Sequence, residues 1–394
     1  MNELELLFLV LAVVYIWECV CWLRRGTVAF LDRWGRSWHP AHPAALLGNQ
    51  AGGVILANPL PPLGCLLTSA QLPLSISPEG FFSYVAQCIN PGWRPAQTGK
   101  YFRFDTVQKI EASGKQVRVN GELLLKTGSP MLARNLAEQL RRLSQLPVDR
   151  RGAAIREMLR ESLNAQKAGK RLQEFRSRAT RLRQVTNGLF GYLFLIAPSC
   201  LWYFGLKRCW IELVAGLLML TSTAALLFAR AHKALYPDAK EERFTHWFMI
   251  LFSPATAIRA HDALSRPLLE TFHPLTVAQV MLEPEQFREF ARRVLVELRH
   301  PCLPLCPTEE PGPQATERHA RLALLETVEQ FLNQKGVDPA ELMRAPAQAD
   351  ETCRSFCPRC GTQFTTHEGT CPDCGGLPLV AFSAADQTPS RPVH

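Results

Sequence analysis

The stretch Gly188–Ala229 constrains this chain more than any other. It reads GLFGYLFLIAPSCLWYFGL, then KRCW, then IELVAGLLMLTSTAALLFA. No charge lies between Leu189 and Gly205, and the second run holds Glu212 in its first turn and otherwise only Thr221, Ser222 and Thr223 as polar groups. A helix on the surface of a soluble core keeps a polar face at helical period. These runs have none, and their hydroxyls can bond back to helix carbonyls. Two apolar runs of near-spanning length predict a transmembrane hairpin over 188–230, in preference to a buried hairpin in a large soluble protein. Pro198 predicts a kink in the first limb. Glu212 lies beside Lys207, Arg208 and Trp210 and reads as interfacial.

The flanks set the sidedness. Lys167, Lys170, Arg171, Arg176, Arg178, Arg181 and Arg183 precede the hairpin against Glu174 alone, and Arg230, His232 and Lys233 follow it. By the positive-inside rule both flanks are cytoplasmic. A third apolar run, Leu6–Leu23, has Glu3 and Glu5 before it and Arg24, Arg25, Arg33 and Arg36 after it. It lacks the basic start and small-residue cleavage site of a secretory signal, so residues 1–23 read as an uncleaved anchor with its N-terminus outside. Glu18 then lies within reach of the interface and Arg24. The expected architecture is a multi-pass α-helical membrane protein of three spans, with a cytoplasmic α+β domain and a C-terminal zinc ribbon. The formal charge of +9 collects largely beside the hairpin, which suits orientation and contact with anionic headgroups before nucleic-acid binding. The 13 cysteines include four at metal spacing and are otherwise scattered, a usage that fits a reducing compartment.

Residues 24–150 form the expected cytoplasmic α+β domain. Their opening, WGRSWHPAHPAALLGNQAGG, reads as an irregular juxtamembrane loop, with His39 and His42 an HxxH that lacks a third ligand nearby. Prolines cut Val54–Ala86 into short edge-like strands. YFRFDTVQKIEA and QVRVNGELLLK alternate, and Asn120-Gly121 predicts a type I′ hairpin turn. Ser129 predicts the cap of a helix from Pro130 to about Leu146, with Leu132, Leu136, Leu140 and Leu143 on one face. Strands closed by one amphipathic helix are similar in element order to pleckstrin-homology-like domains over about 50–145. That similarity implies a binding or scaffold module without catalysis and carries over no lipid-binding residue.

Residues 151–187 read as a basic juxtamembrane helix that Gly169 bends. Residues 231–300 read as a cytoplasmic helical region. Within it, 244–258 is too short to span and is expected to be interfacial, re-entrant or packed on the hairpin. From Pro284 onward Phe287, Phe290, Ala291, Val294, Leu295 and Leu298 predict a buried helix face. Residues 301–318 read as a proline-rich linker, whose Cys302 and Cys306 have three residues between them where a metal knuckle uses two. A helix pair is expected over 319–346, the first with Leu322, Leu325, Val328, Phe331 and Leu332 on one face and the second capped by Asp338. Residues 383–394 read as a disordered tail.

The one specific motif is FCPRCGTQFTTHEGTCPDCGG, which places Cys357, Cys360, Cys371 and Cys374 as CxxC, ten residues, CxxC. Two intervening residues let both thiolates of a tight knuckle face one metal, and Gly361 and Gly375 stand where the knuckle needs positive φ. Two knuckles supply a closed S₄ set, the arrangement of structural zinc; a redox dithiol needs only one CxxC. Residues 352–382 resemble a zinc ribbon over about 355–382, which implies zinc as a structural cofactor. His367 lies between the pairs as a spare donor, and Cys353 is a spare thiol.

A closed site leaves no position for water, which argues against catalysis at this metal. Near His367 and Glu368 the ribbon lacks the basic charge that grips phosphates. GxSxG, HExxH, the P-loop and GxGxxG after a strand are all missing, so the sequence offers no catalytic residue and no cofactor site beyond the metal. The leading expectation is a scaffold or subunit of a membrane complex, with the lipid bilayer and a protein as partners and nucleic acid disfavoured. A membrane enzyme or transporter component with its site in 24–100 or 231–300 is the alternative, and a membrane-tethered nucleic-acid binder the third.

Overall fold

The computed structural model describes residues 6, 9, 10, 13, 27–31, 66–70, 74–84, 99–127, 129–269, 271–299, 311–358, 360–373 and 377–382. Of the expected N-terminal anchor, Leu6, Leu9, Val10 and Val13 are helical and exposed; the rest lies outside the described residues, as do His39, His42, Cys302, Cys306 and the tail from 383.

Two long helices dominate the fold. The first runs unbroken over 40 residues, Ala165–Phe204, and the second over Leu206–Leu235. Both are long and apolar enough to cross a membrane, and only 22 % of either apolar window is buried within the fold. A core helix of a soluble protein would be mostly covered. Here Leu195, Ile196, Trp202, Tyr203, Phe204, Trp210, Leu218 and Met219 all face outward.

The hairpin turns one step earlier than the sequence suggests. Gly205 takes φ +73°, which glycine adopts without strain, and Lys207, Arg208, Cys209 and Trp210 already belong to the second helix. The expected KRCW link is therefore corrected to a single-residue turn. Ahead of Pro198 the first limb loosens into a π turn over Tyr192–Ile196, which absorbs the hydrogen bond that proline cannot make. The limbs lock where Tyr192 lies on Gly216. The Tyr192 hydroxyl donates to the Leu213 carbonyl at 2.7 Å, and a Cβ on Gly216 would come within 2.7 Å of that hydroxyl.

The soluble part begins with strands. β1 (Thr27–Leu31) pairs antiparallel with β2 (Leu66–Ala70). β3 (Leu74–Ile76), β4 (Gly80–Tyr84) and β5 (Gly99–Arg103) form one antiparallel sheet, and β6 (Ile110–Ser113), β7 (Gln116–Val119) and β8 (Glu122–Lys126) another. Asn120 and Gly121 both have positive φ, as the type I′ turn requires. A bulge at Val117/Arg118 shifts the register with β8, and on β8 the consecutive Leu124 and Leu125 are both buried. Helix α1 (Pro130–Gln145) closes this layer. Ser129 caps it by accepting from the Leu132 amide, and Leu132, Leu136, Leu140 and Leu143 are buried. Strands followed by a helix are thus present, as two small sheets.

Helix α2 (Val148–Ser162) stops before the hairpin begins. The bend expected at Gly169 is corrected to Leu163–Asn164, where the Asn164 side chain accepts from the Lys167 amide and starts the long helix. Gly169 lies within a helix and makes no break. Buried Arg151 ties α2 to the sheets: its guanidinium donates to the carbonyls of Leu143, Leu146 and Pro78 and lies 4.8 Å over the Phe104 ring.

After the hairpin come α3 (Lys240–Phe252), α4 (Pro254–Ile258), α5 (Ala260–Leu269), α6 (Pro274–Met281) and α7 (Pro284–Arg299). They share one apolar core with both limbs, including Phe175, Leu182, Phe228, Ile250, Leu264, Phe290 and Leu295. The predicted face of α7 is buried at every named position. The next helix, α8 (Pro311–Gln334), begins inside the segment expected to be linker. Pro311 and Pro313 occupy its first turn, where no amide donor is needed, so the linker is corrected to end by 310. Val328, Phe331 and Leu332 are buried, whereas Leu322 is exposed. α9 (Pro339–Leu342) is capped by Asp338 as expected.

Candidate metal centre

The C-terminal module is built from two-residue strands that could not persist without additional ties. β9 (Ser355–Phe356) pairs with β10 (Gln363–Phe364) and with β13 (Val380–Ala381), and β11 (Thr370–Cys371) pairs with β12 (Leu377–Pro378). Its apolar content is small. Cys353, Phe356 and Phe382 form one cluster, and Cys357, Cys371 and Leu377 another.

The first knuckle has the expected shape. The Gly361 amide donates to the Cys357 carbonyl at 2.9 Å, the Cys357 amide donates to the Thr362 carbonyl at 2.8 Å, and Gly361 takes φ +75°. The sulfurs of Cys357, Cys360 and Cys371 all lie within 4.8 Å of one another. The Cys360 and Cys371 sulfurs are 3.7 Å apart. A tetrahedral site with zinc–sulfur bonds of 2.3 Å has sulfur–sulfur edges of about 3.8 Å, so this separation fits a tetrahedral metal between them. Cys357 and Cys371 are fully buried while Cys360 is exposed. The expected fourth ligand, Cys374, lies outside the described residues, as does Gly375. Three cysteines therefore form a cluster capable of coordinating a metal ion. His367 is exposed and is not in this cluster. Cys353 is buried in the other cluster, consistent with a packing thiol.

The module rests on the rest of the chain. Arg292 of α7 donates to the Pro358 carbonyl at 3.1 Å, next to the first ligand. The turn that leads into the module is set by Asp350, which accepts from the Thr352 amide at 2.7 Å and from its hydroxyl. These bonds, the hydroxyl first, hold the Asp350 carboxyl below its usual range.

Sequence reasoning missed a second set of polar groups. Glu242, Arg259, His261 and Ser265 are buried in the helical region that follows the hairpin, with Arg259 only 2 % exposed. The His261 ring meets the Phe175 ring edge-on at 5.0 Å. The visible signal was RAHD within an apolar stretch, but its depth depends on partners distant in sequence. His273 is similar. Its backbone amide donates to the Ser162 carbonyl and its ring Nδ1 accepts from the Leu275 amide at 3.2 Å, which caps α6. Burial pushes the His273 imidazole down from 6.5 to about 4, which keeps it neutral.

Comparison of the chain with known protein families, with curated proteins and with solved structures finds no match.

Proposed function

We propose that this is an integral membrane protein that presents cytoplasmic binding modules, as a scaffold or subunit of a membrane complex. The carrying observation is the pair of long helices whose apolar side chains face outward, joined to a soluble part with a cysteine cluster. In this reading Leu6–Leu23 is a third span with its N-terminus outside, and the soluble domains lie in the cytoplasm. The basic residues Arg176, Arg178, Arg181 and Arg183 favour that side. The metal is zinc, held by Cys357, Cys360, Cys371 and Cys374 in a closed ribbon that stabilises a contact surface for a partner protein.

The test is cross-linking in native membranes, comparing the full chain with one truncated after Ala347. A partner captured by the full chain and lost from the truncated one, with insertion unchanged, is the expected result. Equal capture by both would remove the ribbon from the contact surface.

A second reading, a membrane enzyme or transporter component, draws on Glu242, Arg259 and His261. Buried charges are costly and concentrate at functional sites. Arg259→Gln tests it: a loss of transport or turnover in a folded protein would favour this reading over the scaffold.

A further inference from the structure

We infer that α3 and α4 form a re-entrant wedge, which enters the bilayer from the side that carries Arg176–Arg183, stops within that leaflet and returns. The inference rests on the hairpin being a membrane hairpin and adds a lipid-contacting element to it.

The depth follows from register. α3 is antiparallel to Leu206–Leu235, and the Phe228 and His246 rings lie 5.7 Å apart. Counting away from that contact at equal helical rise places Phe244 level with Arg230, Phe248 with Leu226 and Phe252 with Ser222. Ile250, fully buried, then falls opposite the buried Ala224 and Ala225. Phe252 therefore lies about 12 Å beyond Arg230, toward the Gly205 turn. From Arg183 to Phe204 the first limb rises about 31 Å, close to the hydrocarbon thickness of a bilayer. Arg230 lies about 36 Å along the second limb from Leu206, so the bilayer face falls about 6 Å on the tip side of Arg230 and Phe252 lies about 6 Å inside it, short of the midplane.

The outer face of α3 suits that depth. Phe244, Phe248 and Phe252 recur every four residues and are 66 %, 51 % and 68 % exposed, with Met249 beside them. This stripe continues the outward apolar surface of the second limb at Leu226 and Met219. The helix has 13 residues, about 20 Å, too short to cross.

At its tip Pro254 offers no amide to the Ile250 carbonyl, and three bonds around Ser253 satisfy part of the irregular backbone, as a position within lipid favours. The Ser253 amide donates to the Met249 carbonyl at 2.9 Å, and the Ser253 carbonyl accepts from the Ala257 amide at 2.9 Å. The Ser253 hydroxyl accepts from the Thr256 amide at 3.3 Å, which caps α4. The chain then returns. His261 meets Phe175, and the Tyr236 hydroxyl donates to the Leu264 carbonyl at 2.9 Å, so α5 lies back at the base of the hairpin. A helix lying flat on the surface would not follow the second limb inward in this register.

The test uses the unmodified full chain in liposomes of phosphatidylcholine and phosphatidylglycerol. Two photoreactive phosphatidylcholines are compared, one with its diazirine near the headgroup and one with it midway along the acyl chain, and labelled residues are mapped by mass spectrometry. The mid-chain probe should label Phe252 and Met249 together with Leu218 and Met219; the shallow probe should favour Phe244; neither should label Leu322. If the mid-chain probe labels Leu218 and Met219 but leaves 248–252 unlabelled, or if Phe244 and Phe252 react equally with the shallow probe, the wedge is overturned and the hairpin stands. If neither probe labels Leu218 or Met219, the membrane hairpin fails and the wedge with it.

Discussion

Along the hairpin, large apolar side chains such as Trp202, Leu218 and Met219 point away from the protein, whereas the cysteine module has hardly any to bury. Its clusters amount to Cys353, Phe356 and Phe382 on one side and Cys357, Cys371 and Leu377 on the other. The hairpin has more apolar surface than its own fold covers, and in the proposed membrane reading lipid covers the rest. The module has too little, and its cysteine cluster is capable of coordinating a metal ion that would supply the difference. In the proposed reading one region is completed by its solvent and the other by an ion.

The largest expected effect breaks the second half of that comparison. Cys357→Ser or Cys371→Ser removes a ligand from the proposed metal site, whose binding free energy, on the order of 10 kcal/mol for structural zinc, would be the module's folding free energy. Metal analysis should show loss of the bound metal, and proteolysis should cut within 352–382 while the hairpin stays inserted. Cys374→Ser should do the same. Cys353→Ser should keep the metal and cost about 1 kcal/mol of packing. A module that resists protease without metal would show that its small core suffices.

The layer between the two regions follows ordinary soluble rules and should respond to pH. His273 folds neutral with its pKa about 4, below its ordinary 6.5. Between these values the unfolded chain binds more protons, so stability is full above about 6.5 and falls as the pH drops toward about 4, by about 1.4 kcal/mol per unit. Denaturation of the detergent-solubilised protein across this window should show stability falling as the pH drops, and His273→Gln should lessen that slope by about 1.4 kcal/mol per unit.

A smaller effect separates packing within the hairpin from its insertion. Gly216→Val places atoms where the Tyr192 ring lies and should cost about 1–3 kcal/mol by overpacking. Tyr192→Phe removes the bond to the Leu213 carbonyl and should cost about 1 kcal/mol. Thermal unfolding in detergent measures both. Insertion should be unchanged in either variant, because the lipid-facing side chains are untouched.

Features governed by nearby residues were legible in advance. The Asn120-Gly121 turn, the Ser129 cap and the stripe Leu132, Leu136, Leu140, Leu143 need only local geometry, and all three are present. The cysteine spacing likewise announced the cluster of Cys357, Cys360 and Cys371. Breaks were misplaced where two residues compete for the role. Gly169 is tolerated inside a helix, while the quieter Asn164 supplies the cap. Lys207 and Arg208 looked like a link, yet Gly205 alone makes the turn. Pro311 and Pro313 looked like linker but fit a first helical turn. The buried positions of Arg151, Arg259 and His273 were not legible at all. Arg151 reaches Pro78 and His273 reaches Ser162, and no local pattern encodes contacts across such separations.

In the proposed topology the hairpin spans a bilayer with its two flanks and the metal module on one side. Reporter domains active only outside the cytoplasm, inserted at Arg208 or fused after Arg160 or Ala347, test it most directly. Activity at Arg208 and silence at Arg160 and Ala347 are expected. Silence at Arg208, or activity after Ala347, would contradict it.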